Sequence, residues 1–179
     1  MQIRVAAPAD ETAVQRVIEA AFAHDEPTGE PVVEALLNDR LRRDPGYVPE
    51  LTLVADRDGA VVGGVSSSYG VLVHPDPAVA DRRILAIGPV SVRPDQQGRG
   101  VGSALVRAVI AAADAAGEPA IVLLGSPGFY GRFGFVTAAD VGIEPPDPGW
   151  GEHFQVRTLA TYSPVMTGRF RYGAPFDGV

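Results

Sequence analysis

Apolar residues recur with helical spacing in three segments of the chain. The first segment has apolar residues at positions i, i+3, i+4, i+7 and i+8, namely Val14, Val17, Ile18, Ala21 and Phe22. The second ends before Pro45 and is predicted to turn four apolar residues inward: Val33, Leu36, Leu37 and Leu41. The third runs from 101 to 116 and is followed by Gly117, a residue suited to end a helix. The spacing predicts three amphipathic helices, with a further helical turn or two at 129–133.

Strand-like segments lie between these helices. Strands are predicted at 3–6, 51–55, 60–73, 84–92, 120–124, 135–136 and 154–159. Asp58-Gly59 predicts a hairpin turn between the second and third strands, and Gly63-Gly64 predicts a bulge. Because residues 84–92 are apolar on both faces, we expect this strand near the centre of the sheet. The order of elements predicts an α/β protein in which helices pack on a mixed sheet.

Composition narrows the class of protein. A chain of 179 residues that is 46% hydrophobic can form one compact domain with a substantial core. No segment approaches the ~18 consecutive apolar residues of a membrane span, and the N-terminus lacks the pattern of a secretory signal, so we expect a cytoplasmic protein. The absence of cysteine excludes disulfides, thiolate metal sites and a cysteine nucleophile. The net charge of −7 argues against nonspecific binding to nucleic acid or to anionic membranes.

A glycine-rich turn joins the predicted central strand to the third helix. It reads Gln97-Gly98-Arg99-Gly100-Val101-Gly102 and is followed by Ser103. Glycines remove the Cβ atoms that would hold an anion away from the backbone, and several N–H groups converge at a helix N-terminus. Arg99 adds a positive charge. The turn therefore predicts a phosphate or pyrophosphate site, and a tight strand-to-helix connection without a ligand is the alternative.

Two common phosphate-binding motifs do not fit this turn. A P-loop needs a lysine after its last glycine, and all 15 basic residues of this chain are arginine. A dinucleotide fingerprint that starts at Gly98 has serine, Ser103, where its last glycine belongs. The next predicted strand, at 120–124, is also not closed by the acidic residue that would bind a ribose. The turn is therefore interpreted neither as a P-loop nor as a Rossmann site.

Two sequence blocks resemble those of the GNAT superfamily of N-acetyltransferases. Gln97, Gly100 and Gly102 match the family's Q/R-x-x-G-x-G/A motif. Downstream, the segment at 129–135 is similar to the family's F-Y-x-x-x-G-F block and reads Phe129-Tyr130-Gly131-Arg132-Phe133-Gly134-Phe135. The resemblance implies a GNAT-like α/β fold with a mixed, mostly antiparallel sheet of about six or seven strands flanked by about four helices. It further implies an N-acetyltransferase domain at 1–160, with a C-terminal extension at 161–179 packed on it.

The same resemblance implies an enzyme that transfers an acetyl group from acetyl-CoA to a primary amine, without a metal. It implies that backbone groups of Val90, Ser91 and Val92 pair with the pantetheine arm of the cofactor, and that Tyr130 is the general acid. The other cofactor-binding residues it implies lie in the glycine turn and near the second block: Gln97, Gly98, Arg99, Gly100, Val101, Gly102, Ser103, Ser126 and Phe129. Because the chain has no cysteine, we expect the amine to attack the thioester directly in a ternary complex.

The sequence defines the general base and the acceptor less well. Many family members have a glutamate on the central strand, but residues 84–92 include no acidic residue. Candidates elsewhere lie between the first two helices or after the third strand: His24, Asp25, Glu26, Glu30 and His74. A non-catalytic module that senses acyl-CoA is therefore the alternative to an enzyme. The acceptor is predicted to be a small-molecule or peptide amine. A set of aromatic and histidine residues is expected mostly to pack in the core, with a pocket wall or a homodimer contact as the alternatives: Trp150, His153, Phe154, Tyr162, Phe170, Tyr172 and Phe176.

Overall fold

The computed structural model describes residues 1–23 and 31–178. In this part of the chain the strands are β1 (Gln2–Val5), β2 (Leu53–Arg57), β3 (Ala60–Val73), β4 (Arg82–Val92), β5 (Ala120–Leu124), β6 (Val136–Thr137), β7 (Ile143–Glu144), β8 (Phe154–Thr158) and β9 (Gly168–Arg171). The α-helices there are α1 (Glu11–Ala21), α2 (Val33–Arg42), α3 (Val101–Ala115) and α4 (Pro127–Tyr130). Among the described residues, no helix is long and apolar enough to cross a membrane.

All nine strands belong to one sheet. Its main path runs β1-β2-β3-β4-β5-β8-β6, and β9 pairs with both β3 and β7. The pairs β4–β5 and β7–β9 are parallel, while the others are antiparallel. The predicted mixed, mostly antiparallel sheet is therefore confirmed, and β4 lies in its interior as expected.

Two strands were not predicted from the sequence. β7 has only two residues, too few to show any alternation, and β9 places a single apolar residue, Phe170, between two arginines. β9 lies within the segment 161–179 and hydrogen-bonds to β3, so that part of the C-terminal segment is integral to the sheet. Phe170 is fully buried there.

The main core lies between α3 and the sheet. Leu105, Val106 and Val109 of α3 are completely buried against β-strand residues such as Leu85 and Ile121. Burial of each such side chain contributes about 1.5–3 kcal/mol. Gly63 of β3 lets the helix approach closely, because a Cβ at this position would lie 3.1 Å from the side chains of Val101 and Leu105. This contact holds the first turn of α3 against the sheet.

The second helix packs through a different face than the sequence predicted. Val33 and Leu36 were expected inside, but they are 51% and 43% exposed. The buried positions are Ala35, Asn38 and Leu41. Asn38 can be buried because its side-chain oxygen accepts a hydrogen bond from Ser66 Oγ (2.7 Å), which replaces the water it loses. A hydrophobicity pattern cannot identify such a buried polar residue, so the prediction for Val33 and Leu36 was wrong.

Candidate active site

The parallel strands β4 and β5 separate part of the way along their length. They pair only at Leu85–Ile121 and Ala86–Val122. Beyond these pairs, β4 continues to Val92 without a partner on this side. The two strands therefore open a gap at their carboxyl ends, which is the edge where parallel α/β sheets commonly bind ligands.

The backbone of β4 faces this gap at every second residue. Arg93 N–H donates to the carbonyl of Val62 on β3 (2.9 Å). Because hydrogen bonding alternates along an antiparallel strand, Ser91 and Arg93 turn their backbone groups to β3, while Val90 and Val92 turn theirs to the gap. The two valines are thus available to a ligand strand. Ser91 is not: it is 2% exposed and does not line the cavity described below.

The glycine turn leaves the N-terminus of α3 open. Gly98 and Gly100 have φ angles of 69° and 82°, in the left-handed region that glycine adopts without strain. The helix begins at Val101, and no side chain caps it. The first helical hydrogen bond runs from Ala104 N–H to Gly100 O (2.9 Å). The three N–H groups before Ala104 therefore have no partner within the helix, and they are the groups with which helix N-termini bind anions.

Side chains around the turn fix its place beside β4. Gln97 Nε2 donates to the carbonyl of Val92 (3.0 Å), which ties the turn to the end of the strand. A Cβ at Gly102 would lie 3.5 Å from Val92 and 3.6 Å from the ring of Phe129. Arg99, in contrast, is exposed and does not line the cavity.

Tyr130 is held by the short helix that follows β5. The carbonyl of Ser126 accepts hydrogen bonds from the N–H groups of Phe129 and Tyr130 (3.0 Å each). The Tyr130 ring makes edge contacts with Phe129 (4.9 Å between centroids) and Phe135 (5.8 Å). Burial raises the pKa of the Tyr130 phenol to about 12. The side chain therefore stays protonated over the whole pH range in which proteins are assayed.

The absence of a side chain at Gly125 makes room for Tyr130, and this permits a test. A Cβ at Gly125 would overlap the Tyr130 ring. We expect Gly125→Ala to displace the phenol. If Tyr130 is the general acid that the sequence resemblance implies, kcat should fall at least about tenfold, since misplacement of a reacting group by about 1 Å is costly. Steady-state kinetics checks this result. Gly131→Ala is the matched control, because a Cβ there would meet nothing within 4 Å. If the effect acts through Tyr130, the double variant Gly125→Ala/Tyr130→Phe is no slower than Tyr130→Phe alone.

One cavity of about 1240 Å³ connects these features. One end holds the residues at which the sequence predicts the cofactor, and we call it the donor end. It is lined by residues of the β4–β5 gap, the glycine turn and the α4 segment: Ile87, Gly88, Pro89, Val90, Val92, Gln96, Gln97, Gly98, Gly100, Val101, Gly102, Ser103, Leu124, Gly125, Ser126, Phe129, Tyr130 and Arg132. Of the cofactor-binding residues expected from the sequence, only Ser91 and Arg99 are absent from this lining. The cavity is long enough to accept an extended ligand along the turn and into the gap.

The other end of the cavity lies between the first two helices and the C-terminal segment. It is lined by Ala21, Phe22, Glu34, Leu37, Pro146, Trp150, Arg171, Tyr172, Phe176 and Asp177. Tyr172 stacks on Phe176 (3.9 Å between centroids) and meets Phe170 edge-on (4.7 Å). Trp150, Tyr172 and Phe176 thus line the cavity as a pocket wall, which was an alternative to the core packing expected for most of these residues. Phe154 and Phe170 belong to the core instead, and His153 and Tyr162 do not line the cavity.

Acidic residues at this second end were not found by sequence reasoning. Glu34 lines the cavity with Leu37 of the same helix, α2, and Asp177 is separated from it by most of the chain. The earlier candidate His74 lies outside the cavity, in the β3–β4 connection, where its Nδ1 accepts a hydrogen bond from Asp76 N–H (3.0 Å). His24, Asp25, Glu26 and Glu30 lie outside the described residues. Within the described ranges, no three histidine, aspartate or glutamate side chains form a potential metal site.

Comparison with known proteins identifies the family. A model of the acetyltransferase (GNAT) domain matches residues 2–138. The uncharacterised N-acetyltransferase YhbS of Escherichia coli is 31% identical over 160 residues, which cover 89% of this chain and 88% of YhbS. Its structure in complex with CoA superposes with a TM-score of 0.82 over 98% of this chain and 91% of that one. A GNAT acetyltransferase from Brucella melitensis, solved with acetyl-CoA, is 30% identical and has a TM-score of 0.73 over 98% of this chain and 97% of its own. On this agreement of sequence, fold and site, the chain belongs to the GNAT superfamily of acetyltransferases.

Proposed function

We propose that this protein transfers an acetyl group from acetyl-CoA to a primary amine by direct attack in a ternary complex. The observation that carries the proposal is the single cavity, which joins the open N-terminus of α3 and the β4–β5 gap at one end to an acidic, aromatic pocket at the other. Tyr130, on the α4 segment, lies between the two ends of the cavity. Such a cavity can hold a thioester and an amine at the same time.

The donor end suits CoA in both charge and shape. The pyrophosphate would accept hydrogen bonds from the N–H groups of Val101, Gly102 and Ser103, next to the positive end of the helix dipole. The pantetheine arm would lie along Val90 and Val92 as an added strand, with Ser126 and Phe129 on its other side. YhbS and the Brucella relative were solved with CoA and acetyl-CoA respectively, which supports this choice of donor.

The reaction needs removal of protons from the amine, stabilisation of the oxyanion and protonation of the leaving thiolate. The bound ammonium first loses a proton to water or to a carboxylate at the acceptor end. The neutral amine then attacks the thioester carbonyl carbon, a C–N bond forms, and the carbonyl electron pair moves to oxygen, where an N–H of the Val90–Val92 stretch would stabilise it. This electron pair re-forms the C=O bond as the C–S bond breaks, and the leaving thiolate takes the proton of Tyr130, which is replaced from solvent. The desolvation that raises the pKa of Tyr130 also raises that of the thiol, so the proton transfer stays feasible. The attacking nitrogen loses a second proton to water or to a carboxylate at the acceptor end.

The acceptor end favours an amine with an apolar or aromatic body. Trp150, Tyr172 and Phe176 offer ring surfaces, and the two negative charges of Glu34 and Asp177, against the one positive charge of Arg171, favour an ammonium group. Both small molecules and peptides fit this description. The two carboxylates also supply the acidic groups that β4 lacks, and either can accept the amine's proton directly or through water.

Calorimetry and thiol release together test the proposal. We expect acetyl-CoA to bind, and free CoA to be released in the presence of at least one member of a panel of cationic amines. The thiol assay has no background from the protein, because the chain has no cysteine. Absence of binding at millimolar acetyl-CoA would overturn the assignment of the donor. Binding without thiol release for any amine would instead support the alternative function, an acyl-CoA sensor, which the absence of an acidic residue on β4 favours.

A further inference from the structure

The surface on either side of the donor end has an unusual charge for this protein. The chain has 22 acidic residues, yet residues 97–113 and 119–139 contain none. The first of these segments runs from the glycine turn through most of α3, and the second runs from β5 through the α4 segment. Three arginines lie in them: Arg99, Arg107 and Arg132. Within the described residues, none of the three forms an ion pair with a carboxylate.

Two of these arginines pack near the same aromatic ring beside α3. The guanidinium carbons of Arg107 and Arg132 are 5.3 and 5.9 Å from the centroid of the same ring, Phe133. Arg132 also covers the face of Phe129 at 4.8 Å, and Phe129 in turn contacts the helix at Gly102. The charges are thus held by aromatic packing rather than by acidic partners.

The position of the pair follows from that of the glycine turn. Ser103 lines the cavity, and Arg107 is four residues later, on the same face of α3 and one turn farther from the gap. Arg132 lines the cavity, whereas Arg107 is not among the lining residues and approaches the same ring, Phe133, from α3. If the pyrophosphate of CoA lies at the start of α3 and the pantetheine enters the gap, the adenosine end must leave in the other direction. That direction leads to Arg107 and Arg132.

We propose that Arg107 and Arg132 bind the 3′-phosphate of CoA, so that the protein selects free CoA thioesters over donors that lack this group. The inference rests on the proposed function, since it needs CoA in the cavity. The 3′-phosphate is a monoester that carries almost two negative charges at neutral pH, and it is the only such group in CoA. A pair of guanidinium groups without acidic neighbours matches it in charge and in hydrogen-bonding geometry. A pantetheine arm attached to a carrier protein has no such group.

Calorimetry with CoA and 3′-dephospho-CoA tests this proposal. We expect the wild type to bind CoA about tenfold more tightly than 3′-dephospho-CoA at low salt, and the preference to shrink as ionic strength rises. Arg107→Gln and Arg132→Gln should each reduce the preference at least about threefold, while the Kd for 3′-dephospho-CoA stays within about twofold. Arg82→Gln is the matched control: it also removes one exposed positive charge, but it lies at the opposite end of β4 from Val92.

Arg107→Gln still tests the proposal if Arg132→Gln disturbs the local structure. Arg132 donates hydrogen bonds to the carbonyls of Phe129 (2.9 Å) and Gly128 (3.3 Å), whereas Arg107 makes none to the described residues. Equal weakening of both ligands in the two variants would overturn the proposal, because it would place the arginines at the pyrophosphate. Equal affinity of the wild type for the two ligands would overturn it as well, and would leave the proposed function intact. Failure of both ligands to bind would overturn the proposed function together with this inference.

Discussion

Replacing Tyr130 with phenylalanine should lower kcat by about a hundredfold or more and leave the Kd for acetyl-CoA within about twofold of the wild type. The range expected for loss of a general acid is about 10²–10⁴. The ring contacts with Phe129 and Phe135 do not involve the hydroxyl, so the variant keeps its packing. Steady-state kinetics with a saturating amine measures kcat, and calorimetry measures acetyl-CoA binding.

Tyr162→Phe is the matched control, because this tyrosine packs against the group of buried residues that includes Phe154 and Phe170, and it does not line the cavity. It should keep kcat within about twofold of the wild type. The pH profile gives a second readout. Because the pKa of Tyr130 is raised to about 12, its proton is present below that value, and the wild-type rate should show no alkaline decline from this group before about pH 11. An unchanged kcat in Tyr130→Phe would show that the thiolate leaves without help from the phenol.

The donor end could be predicted from the sequence because its chemistry lies in short, local motifs. The glycines at 98 and 100 are required by their positive φ angles. Each requirement concerns neighbouring residues, so it leaves a readable pattern. Ser91 is the exception. Its backbone N–H and C=O turn to β3 rather than to the gap, because the hydrogen-bonding groups of successive residues alternate between the two sides of a strand, and the phase of that alternation is set by the pairing of β4 with β3.

The acceptor end could not be predicted because it is assembled from distant segments. Glu34 and Leu37 come from α2, while Trp150, Tyr172 and Asp177 come from near the C-terminus. The orientation of α2 depends on a buried hydrogen bond between Asn38 and Ser66, which no hydrophobic pattern reveals. The C-terminal residues reach the cavity only because β9 pairs with β3, and such long-range pairings are not encoded in local spacing.

A substitution that disturbs the strand β9 should therefore lower the free energy of unfolding and weaken acceptor binding at the same time. Gly168 begins this strand with a φ of 137°, and a Cβ there would overlap the carbonyl of Val73 on β3. We expect Gly168→Ala to cost about 3 kcal/mol of the free energy of unfolding, from backbone strain and from the steric overlap. For a domain of this size the loss lowers Tm by about 10 °C. Differential scanning calorimetry checks this value.

The same variant should separate the two ends of the cavity. β9 ends at Arg171, and Tyr172 follows it directly. Displacement of β9 from β3 therefore moves both of these cavity-lining residues at the acceptor end, whereas the donor end is built on β4 and α3. We expect the KM for the amine to rise at least about tenfold while the Kd for acetyl-CoA stays within about twofold. Gly59→Ala is the matched control: its φ of 82° is also positive, but a Cβ there would meet no atom within 4 Å. That control should cost only about 1 kcal/mol and leave both constants unchanged. If Gly168→Ala behaves like Gly59→Ala, then β9 does not hold the acceptor wall in place.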